Sequence, residues 1–402
     1  MHTPDAPHPA TRTAPTIPAA PNGHTGQTPW QLQYEPSLDG LRGLSIIAVV
    51  AYHACALSGV RLFEGGFVGV SVFFTLSGFL IANLLMRDRA LHGSIRWGAF
   101  WARRIKRLAP AALVIVIAVT VVSATTDLLV VHRGDVVASI WSYTNWHVII
   151  DGQSKLLGTI VGPLGPTWSL SVEEQFYLLA AAGSVIAMSR HWGRRSLYTM
   201  LAATWIASLL LEVFASPWSP RREFGTDVRL AEFAAGVALA LWWSQPRRRV
   251  IRPLVADTLA FGGVAGIGAL IFEGGHLQSR LLRGGYPLLG LLTAAAIAGL
   301  LSHHRAERMM RWQPLVLVGT LSYSLYLVHW PVLLVLNPGR AGFSGVRLVV
   351  LQIAISSAAA VALHFGVERP IRALTLPPPR AVIGCWLASS ALISVAALLA
   401  LS

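Results

Sequence analysis

Arg42 and His53 stand eleven residues apart in LDGLRGLSIIAVVAYHA. At about 100° per residue this is roughly three helical turns, so both side chains share one helix face, about 16 Å apart along the axis. The residues between them are apolar enough to enter a bilayer. One ionisable group then sits near a membrane surface and the other about halfway across. Ionisable residues in lipid are costly and by default mark a functional path. Arg104 and Arg107, three apart in FWARRIKRLAP, share a helix face and have the geometry to clamp phosphate oxygens. Read alone, the same block is a cytoplasmic charge anchor. Arg42, at the same expected membrane level, supplies a third guanidinium and favours a polyanion site.

Two further clusters interrupt the apolar background. In TWSLSVEEQFYLL, Glu173 and Glu174 follow Trp168, Ser169 and Ser171 at the expected outer end of an apolar helix. Capping of the helix N-terminus accounts for such a group as well as function does. Adjacent carboxylates diverge by about 100°, so at most one faces the bundle interior, where it can orient a histidine or share a proton. In LSYSLYLVHWPVL, Tyr323, Tyr326 and His329 recur every third residue and line a broad stripe. An interfacial aromatic belt explains the tyrosines equally well, and His329 stays open between packing and chemistry. A near-neutral histidine in an apolar site with a carboxylate partner is suited to deprotonating a hydroxyl, which then attacks an activated acyl group. The chain has no Gly-rich phosphate loop, no G-x-S-x-G elbow and no metal-ligand spacing. Arg229 and Glu232 read as an intrahelical ion pair, the small residues of GGFVGVSVFFTLSGFLI as a packing surface, and Glu368-Arg369-Pro370 as a helix stop.

The elements that must position these residues follow from composition. The chain has 402 residues, 54% hydrophobic and 12% charged; a soluble domain carries about twice that charged fraction. The expected fold class is an all-α integral membrane protein, a polytopic bundle of about ten or eleven transmembrane helices with a cytoplasmic amphipathic helix. Apolar windows fall at 41–58, 66–86, 109–130, 167–189, 197–214, 227–244, 254–272, 285–302, 314–336, 346–367 and 381–401. Segment 136–150 reads as an interfacial or re-entrant helix on the outer side, and 91–108 as the amphipathic helix on the cytoplasmic surface. Residues 1–33, rich in Pro, Ala, Thr and His, read as a disordered cytoplasmic tail. With the N-terminus inside, most of the 32 lysines and arginines fall in cytoplasmic segments. The net charge of +14 therefore reads as membrane orientation and excludes nucleic acid as the expected partner. Cys55 and Cys385 lie in separate apolar segments and give no disulfide pattern.

LDGLRGLSIIAVVAYH, GGFVGVSVFFTLSGFLI, FWARRIKRLAP, TWSLSVEEQFYLL and LSYSLYLVHWPV, in this order from about residue 36 to about 372, resemble successive motifs of the membrane-bound acyltransferase-3 family. These are bacterial enzymes that O-acylate lipopolysaccharide, peptidoglycan, exopolysaccharides and some macrolides. The resemblance implies a membrane acyltransferase domain over 34–372, with 373–402 a linker and an additional C-terminal transmembrane helix. It implies an acyl-CoA donor, usually acetyl-CoA, engaged from the cytoplasm of a bacterial inner membrane, and a carbohydrate or glycolipid hydroxyl as acceptor. Arg42 and His53 match the family's Arg–ten residues–His pair, with His53 as base and Arg42 holding the donor beside Arg104 and Arg107. Glu173 or Glu174 matches its acidic motif, catalytic beside His53. Tyr323, Tyr326 and His329 match its late aromatic motif and, with Trp168 and Ser171, are expected on the substrate. Ser71 stands where the family motif often has Asp, and Pro166 where many members have His, so the acceptor is the least transferable feature. Members with a fused extracellular hydrolase-like domain also have an eleventh span. Here that domain is expected to be replaced by transfer within the membrane domain or on a separate extracytoplasmic partner. A macrolide-type sugar is the alternative acceptor, and a proton-coupled transporter the alternative from another class. Transport predicts an internal repeat, and none is visible.

Overall fold

The structure, a computed structural model, describes residues 34–150, 162–214, 219–245, 251–273, 284–302, 305–375 and 377–401. The expected tail 1–33 lies outside them. Among the described residues every regular element is helical: α1 (Pro36–Leu57), α2 (Val68–His92), α3 (Trp97–Thr125), α4 (Arg133–Ile140), α5 (Thr144–Ile150), α6 (Thr167–Ser189), α7 (Arg194–Phe214), α8 (Arg221–Phe224) and α9 (Thr226–Trp243). Then follow α10 (Pro253–Phe272), α11 (Gly285–Leu300), α12 (Arg305–Met310), α13 (Gln313–Thr320), α14 (Ser322–Val335), α15 (Pro338–Ala341), α16 (Val346–Leu363), a π-turn His364–Glu368, α17 (Arg369–Ala373) and α18 (Pro379–Ala400). Each of the eleven apolar windows falls on a helix. Seven, α1, α2, α3, α7, α10, α16 with its continuation to Ala373, and α18, are long and apolar enough to cross a membrane. The pair α13 and α14 makes an eighth if it forms one span. The chain is therefore an all-α, multi-pass membrane protein. Of the remaining windows, α6 and α9 carry carboxylates in their first halves and α11 has 16 residues.

Small residues set the contacts that bring the site together. A Cβ on Gly78 of α2 would lie 2.2 Å from the Phe233 carbonyl oxygen, and one on Gly236 of α9 would lie 2.0 Å from that of Thr75. Only glycine lets these two backbones touch, as the small-residue pattern predicted. Gly319 of α13 meets the Asp39 carbonyl of α1 in the same way, at 1.8 Å. Phe79, Leu41, Val72 and Ile297 fill one side of the bundle between α1, α2 and α11, and Ile46, Phe74, Phe176 and Tyr177 fill the other.

Three expectations need correction. Segment 91–108 does not form a helix of its own. Gly93, at φ 72°, ends α2, and α3 starts at Trp97 and runs through Pro110 to Thr125 as one rod. Asp88 closes the intervening turn by accepting from the Arg96 amide at 2.6 Å and from its guanidinium. The window 314–336 is two helices bent by 69°, because α13 is pressed flat on α1 at Gly319 while Tyr323 and Ser324 are drawn to partners on α3 and the π-turn. Glu368, expected as a helix stop, is buried and accepts from Ser324, from Arg372 at 2.9 Å and from His364 at 3.2 Å. Segment 136–150 forms α4 and α5, of 8 and 7 residues, both too short to cross a bilayer.

Candidate active site

The helix α1 that was expected to carry Arg42 and His53 does so, and α14 brings His329 against the second of them. His53 Nδ1 lies 3.1 Å from His329 Nε2, with the rings nearly parallel at 25° and 5.2 Å apart. The other nitrogen of His329, Nδ1, is 2.7 Å from the Tyr326 carbonyl and 3.2 Å from that of Leu325. Carbonyl oxygens only accept, so Nδ1 of His329 carries a proton and Nε2 of the neutral ring is an acceptor. His53 Nδ1–H then donates to it. This leaves Nε2 of His53 as the nitrogen with a basic lone pair. Two backbone carbonyls thus fix the tautomer of a histidine two steps away. Tyr52 and Trp330 flank the His53 ring at 4.9 and 5.0 Å, and Trp330 is held by donating to the Gly162 carbonyl at 3.0 Å.

Among the described residues no carboxylate is paired with His53. Glu173 and Glu174 instead face Arg104, whose Nη2 lies 3.6 and 3.7 Å from their carboxylates. Arg104 sits seven residues into α3 and Glu173 six into α6, each about 10 Å from its helix start. They meet between α3 and α6, with little of either side chain exposed. Ser77 donates to Glu173 at 2.7 Å, and the Arg104 guanidinium lies 3.3 Å from the centre of the Tyr177 ring. Ser77 and Tyr177 were not singled out by sequence; Ser77 lay inside the segment read as packing, where nothing separates it from its small neighbours. Ser169 Oγ is 2.5 Å from the Tyr326 hydroxyl, and the Tyr323 hydroxyl donates to the Leu108 carbonyl at 2.8 Å.

A cavity of about 310 Å³ joins these groups. Arg42, Arg104 and Arg107 line it together with Glu173, Ser77, Tyr177, Ser169, Tyr323 and Tyr326. Three guanidinium groups against one carboxylate give this wall an excess of positive charge. Arg42 is held 3.6 Å from Asp39, and Arg107 has no ion-pair partner within 4.0 Å among the described residues. The end of the cavity at Tyr326 adjoins the histidine pair, since the Tyr326 ring is 5.6 Å from that of His329. Glu174 and Ser171 line a second cavity, and Trp168 lines neither, packing edge-on against Phe74 and Phe224. Ser71 accepts from Arg229 at 2.8 Å, and Arg229 is paired with Glu232 at 2.7 Å as expected, fully inside the protein. Among the described residues no group of three His, Cys, Asp or Glu has metal-site geometry.

A cavity lined by three arginines thus ends beside a hydrogen-bonded histidine pair inside a multi-pass membrane protein. The family model for an acyltransferase domain matches residues 35–368, so the chain belongs to that acyltransferase family. It is 30% identical over 352 residues to "O-acetyltransferase OatA" of Staphylococcus aureus (strain NCTC 8325 / PS 47), covering 85% of this chain and 57% of the relative. It is 31% identical over 362 residues to "Peptidoglycan O-acetyltransferase OatA" of Listeria monocytogenes, covering 86% of this chain and 57% of the relative. The chain thus spans little more than half the length of these relatives. No solved structure matches it.

Proposed function

We propose that the protein is an O-acyltransferase of a bacterial cytoplasmic membrane, transferring an acyl group, above all acetyl, from acyl-CoA to a hydroxyl of a cell-envelope carbohydrate or glycolipid. The donor's phosphates lie on Arg42, Arg104 and Arg107, reached from the cytoplasm, with the N-terminus on that side. Its thioester points along the cavity toward Tyr326. His53 Nε2 takes the proton of the acceptor hydroxyl as the oxygen attacks the thioester carbonyl carbon. The carbon–sulfur bond breaks, an ester forms, and the proton passes from the imidazolium to the departing CoA sulfur. His329 keeps the base in its tautomer, and Glu173 and Glu174 hold Arg104 in place. The carrying observation is the chain of bonds from the Tyr326 carbonyl through His329 to His53, which leaves a basic nitrogen on His53. The relatives' names support an acetyl group and peptidoglycan as the acceptor class.

The test is product analysis. The purified full chain in lipid nanodiscs is incubated with acetyl-CoA and soluble peptidoglycan fragments, and the glycan is examined by mass spectrometry. The expected product is an alkali-labile acetyl ester formed in step with CoA. CoA release without any ester on the glycan would overturn the acceptor assignment, and no acceptor-dependent CoA release would overturn the reading.

A further inference from the structure

Tyr326 belongs both to the arginine-lined cavity and to the histidine pair. It lines the cavity together with Ser169. Its ring lies 5.6 Å from that of His329, and its carbonyl accepts from His329 Nδ1 at 2.7 Å. The Tyr326 hydroxyl is 2.5 Å from Ser169 Oγ, and both residues are more than nine-tenths buried. That bond uses one of two protons. Ser169 Oγ also lies 3.3 Å from the Pro166 carbonyl, which takes the serine proton when the tyrosine donates to the serine. In the reverse arrangement Ser169 donates to Tyr326, and the tyrosine O–H is released for a third group. Both arrangements keep the same heavy-atom positions and differ only in the rotation of two O–H bonds. Neighbouring hydroxyls on the wall are committed: Ser77 donates to Glu173, Tyr177 to Ser77, and Tyr323 to the Leu108 carbonyl. Val70 and Phe74 of α2 line the same cavity and share an apolar core with Tyr326.

We infer that the Tyr326 hydroxyl is a catalytic hydrogen-bond donor to the carbonyl oxygen of the thioester, supported from behind by Ser169. The inference rests on the acyl-transfer reading above and adds a residue to it. When the acceptor oxygen adds to the thioester carbon, the π pair of the carbonyl moves onto its oxygen, which becomes an oxyanion. Tyr326 O–H donates to that oxygen, and Ser169 O–H donates to Tyr326 and strengthens the bond. The oxyanion then re-forms its double bond as the carbon–sulfur bond breaks, and the sulfur takes the proton held by His53. The tyrosine keeps its own proton throughout. A donor fixed in an apolar pocket is worth most where charge develops, so its contribution falls on kcat rather than on binding. With the cavity empty, Tyr326 donates to Ser169 and Ser169 to Pro166, so neither buried hydroxyl proton is left unpaired. Ser169 acts through Tyr326 and is a positioning residue.

The experiment uses the full chain in nanodiscs with acetonyl-CoA, an unreactive ketone in which a methylene separates the sulfur from the carbonyl. Isotope-edited infrared spectroscopy reads the carbonyl stretch of the bound ketone. In the wild type the band should lie at lower wavenumber than in Tyr326→Phe, where it should move to the position of the ketone in an apolar solvent. Ser169→Ala, which keeps the tyrosine hydroxyl, should retain a smaller shift. In acceptor-dependent CoA release, Tyr326→Phe should lower kcat by about 10²–10³-fold, with acetyl-CoA affinity within about threefold of wild type. Ser169→Ala should lower kcat by about tenfold or less. Fluorotyrosine at position 326 keeps the shape of the ring with a more acidic hydroxyl, and should move the band further down even if the phenylalanine variant fails to fold. An identical band in the wild type and Tyr326→Phe, or an unmoved band with fluorotyrosine, would overturn the proposal. A shift lost in Ser169→Ala but kept in Tyr326→Phe would assign the donor to Ser169 and overturn it equally, as would a loss confined to KM. The bound ketone reports the hydrogen bond whether or not transfer occurs, so CoA release by the wild type tests the acyl-transfer reading separately.

Discussion

Replacing His329 separates the role assigned to it from simple packing. His329 is fully buried and its Nε2 accepts the His53 Nδ1 proton at 3.1 Å. In His329→Leu the His53 N–H loses that acceptor in a site enclosed by Tyr52 and Trp330. An unsatisfied buried donor costs about 1–3 kcal/mol. His53 escapes the cost by moving its proton to Nε2, which is the nitrogen required as base. The fraction of enzyme in the active tautomer then falls by the same free energy, about tenfold to a hundredfold in kcat. His329→Gln carries an amide oxygen near the position of Nε2, and should recover activity to within about tenfold of wild type. The assay is acceptor-dependent CoA release followed with a thiol reagent, with acetyl-CoA affinity measured alongside. Equal activity of the Leu and Gln variants, with affinity unchanged in both, would refute the tautomer argument. A loss confined to KM would do the same.

The donor site predicts that Arg107→Ala and Arg42→Ala each weaken acetyl-CoA binding by about tenfold to a hundredfold, the range for a lost charged hydrogen bond, with little change in melting temperature; calorimetric titration reads this directly, and unchanged affinity in both would remove the phosphates from this cavity. Gly319→Leu places a Cβ 1.8 Å from the Asp39 carbonyl, so α1 and α13 must part; because Asp39 holds Arg42 at 3.6 Å, the variant should lose both thermal stability and acetyl-CoA affinity. Arg229→Met leaves the Glu232 carboxylate buried without its cation and should destabilise by about 3–5 kcal/mol, while Arg229→Met with Glu232→Leu should regain most of it in a detergent melting assay. Additivity of those two substitutions would mean that the pair is not coupled.

Much of this architecture was legible in the chain. Every apolar window became a helix because twenty apolar residues have few alternatives in lipid. The pairing of Arg229 with Glu232 followed from their spacing, and the Gly-rich face of α2 became a backbone crossing. Depth and partnership were harder to read. Arg104 reads locally as part of a short interfacial helix because Trp101, Phe100 and the basic block suit one, yet Pro110 is tolerated inside α3 and the helix continues to Thr125. Its position is decided by Glu173 and Glu174, which lie some seventy residues away and give no local sign of the contact. The same holds for His53 and His329, 276 residues apart. Both were flagged as ionisable residues in apolar helices; that each is the other's partner is a fact of the fold. Ser77 and Tyr177 carried no local signal, since a serine among small residues and a tyrosine near a helix middle are ordinary packing. The bend between α13 and α14 was hidden for a similar reason, as both halves are apolar and only the seat of Gly319 on α1 parts them.

Acceptor-dependent CoA release by the purified full chain and by His53→Ala, at saturating acetyl-CoA, bears most directly on the central claim. The account predicts release by the wild type and a loss of about 10²–10⁴-fold in His53→Ala, the usual worth of a general base, with acetyl-CoA affinity unchanged. Activity in His53→Ala within about threefold of wild type, or a parallel loss of donor binding, would contradict it.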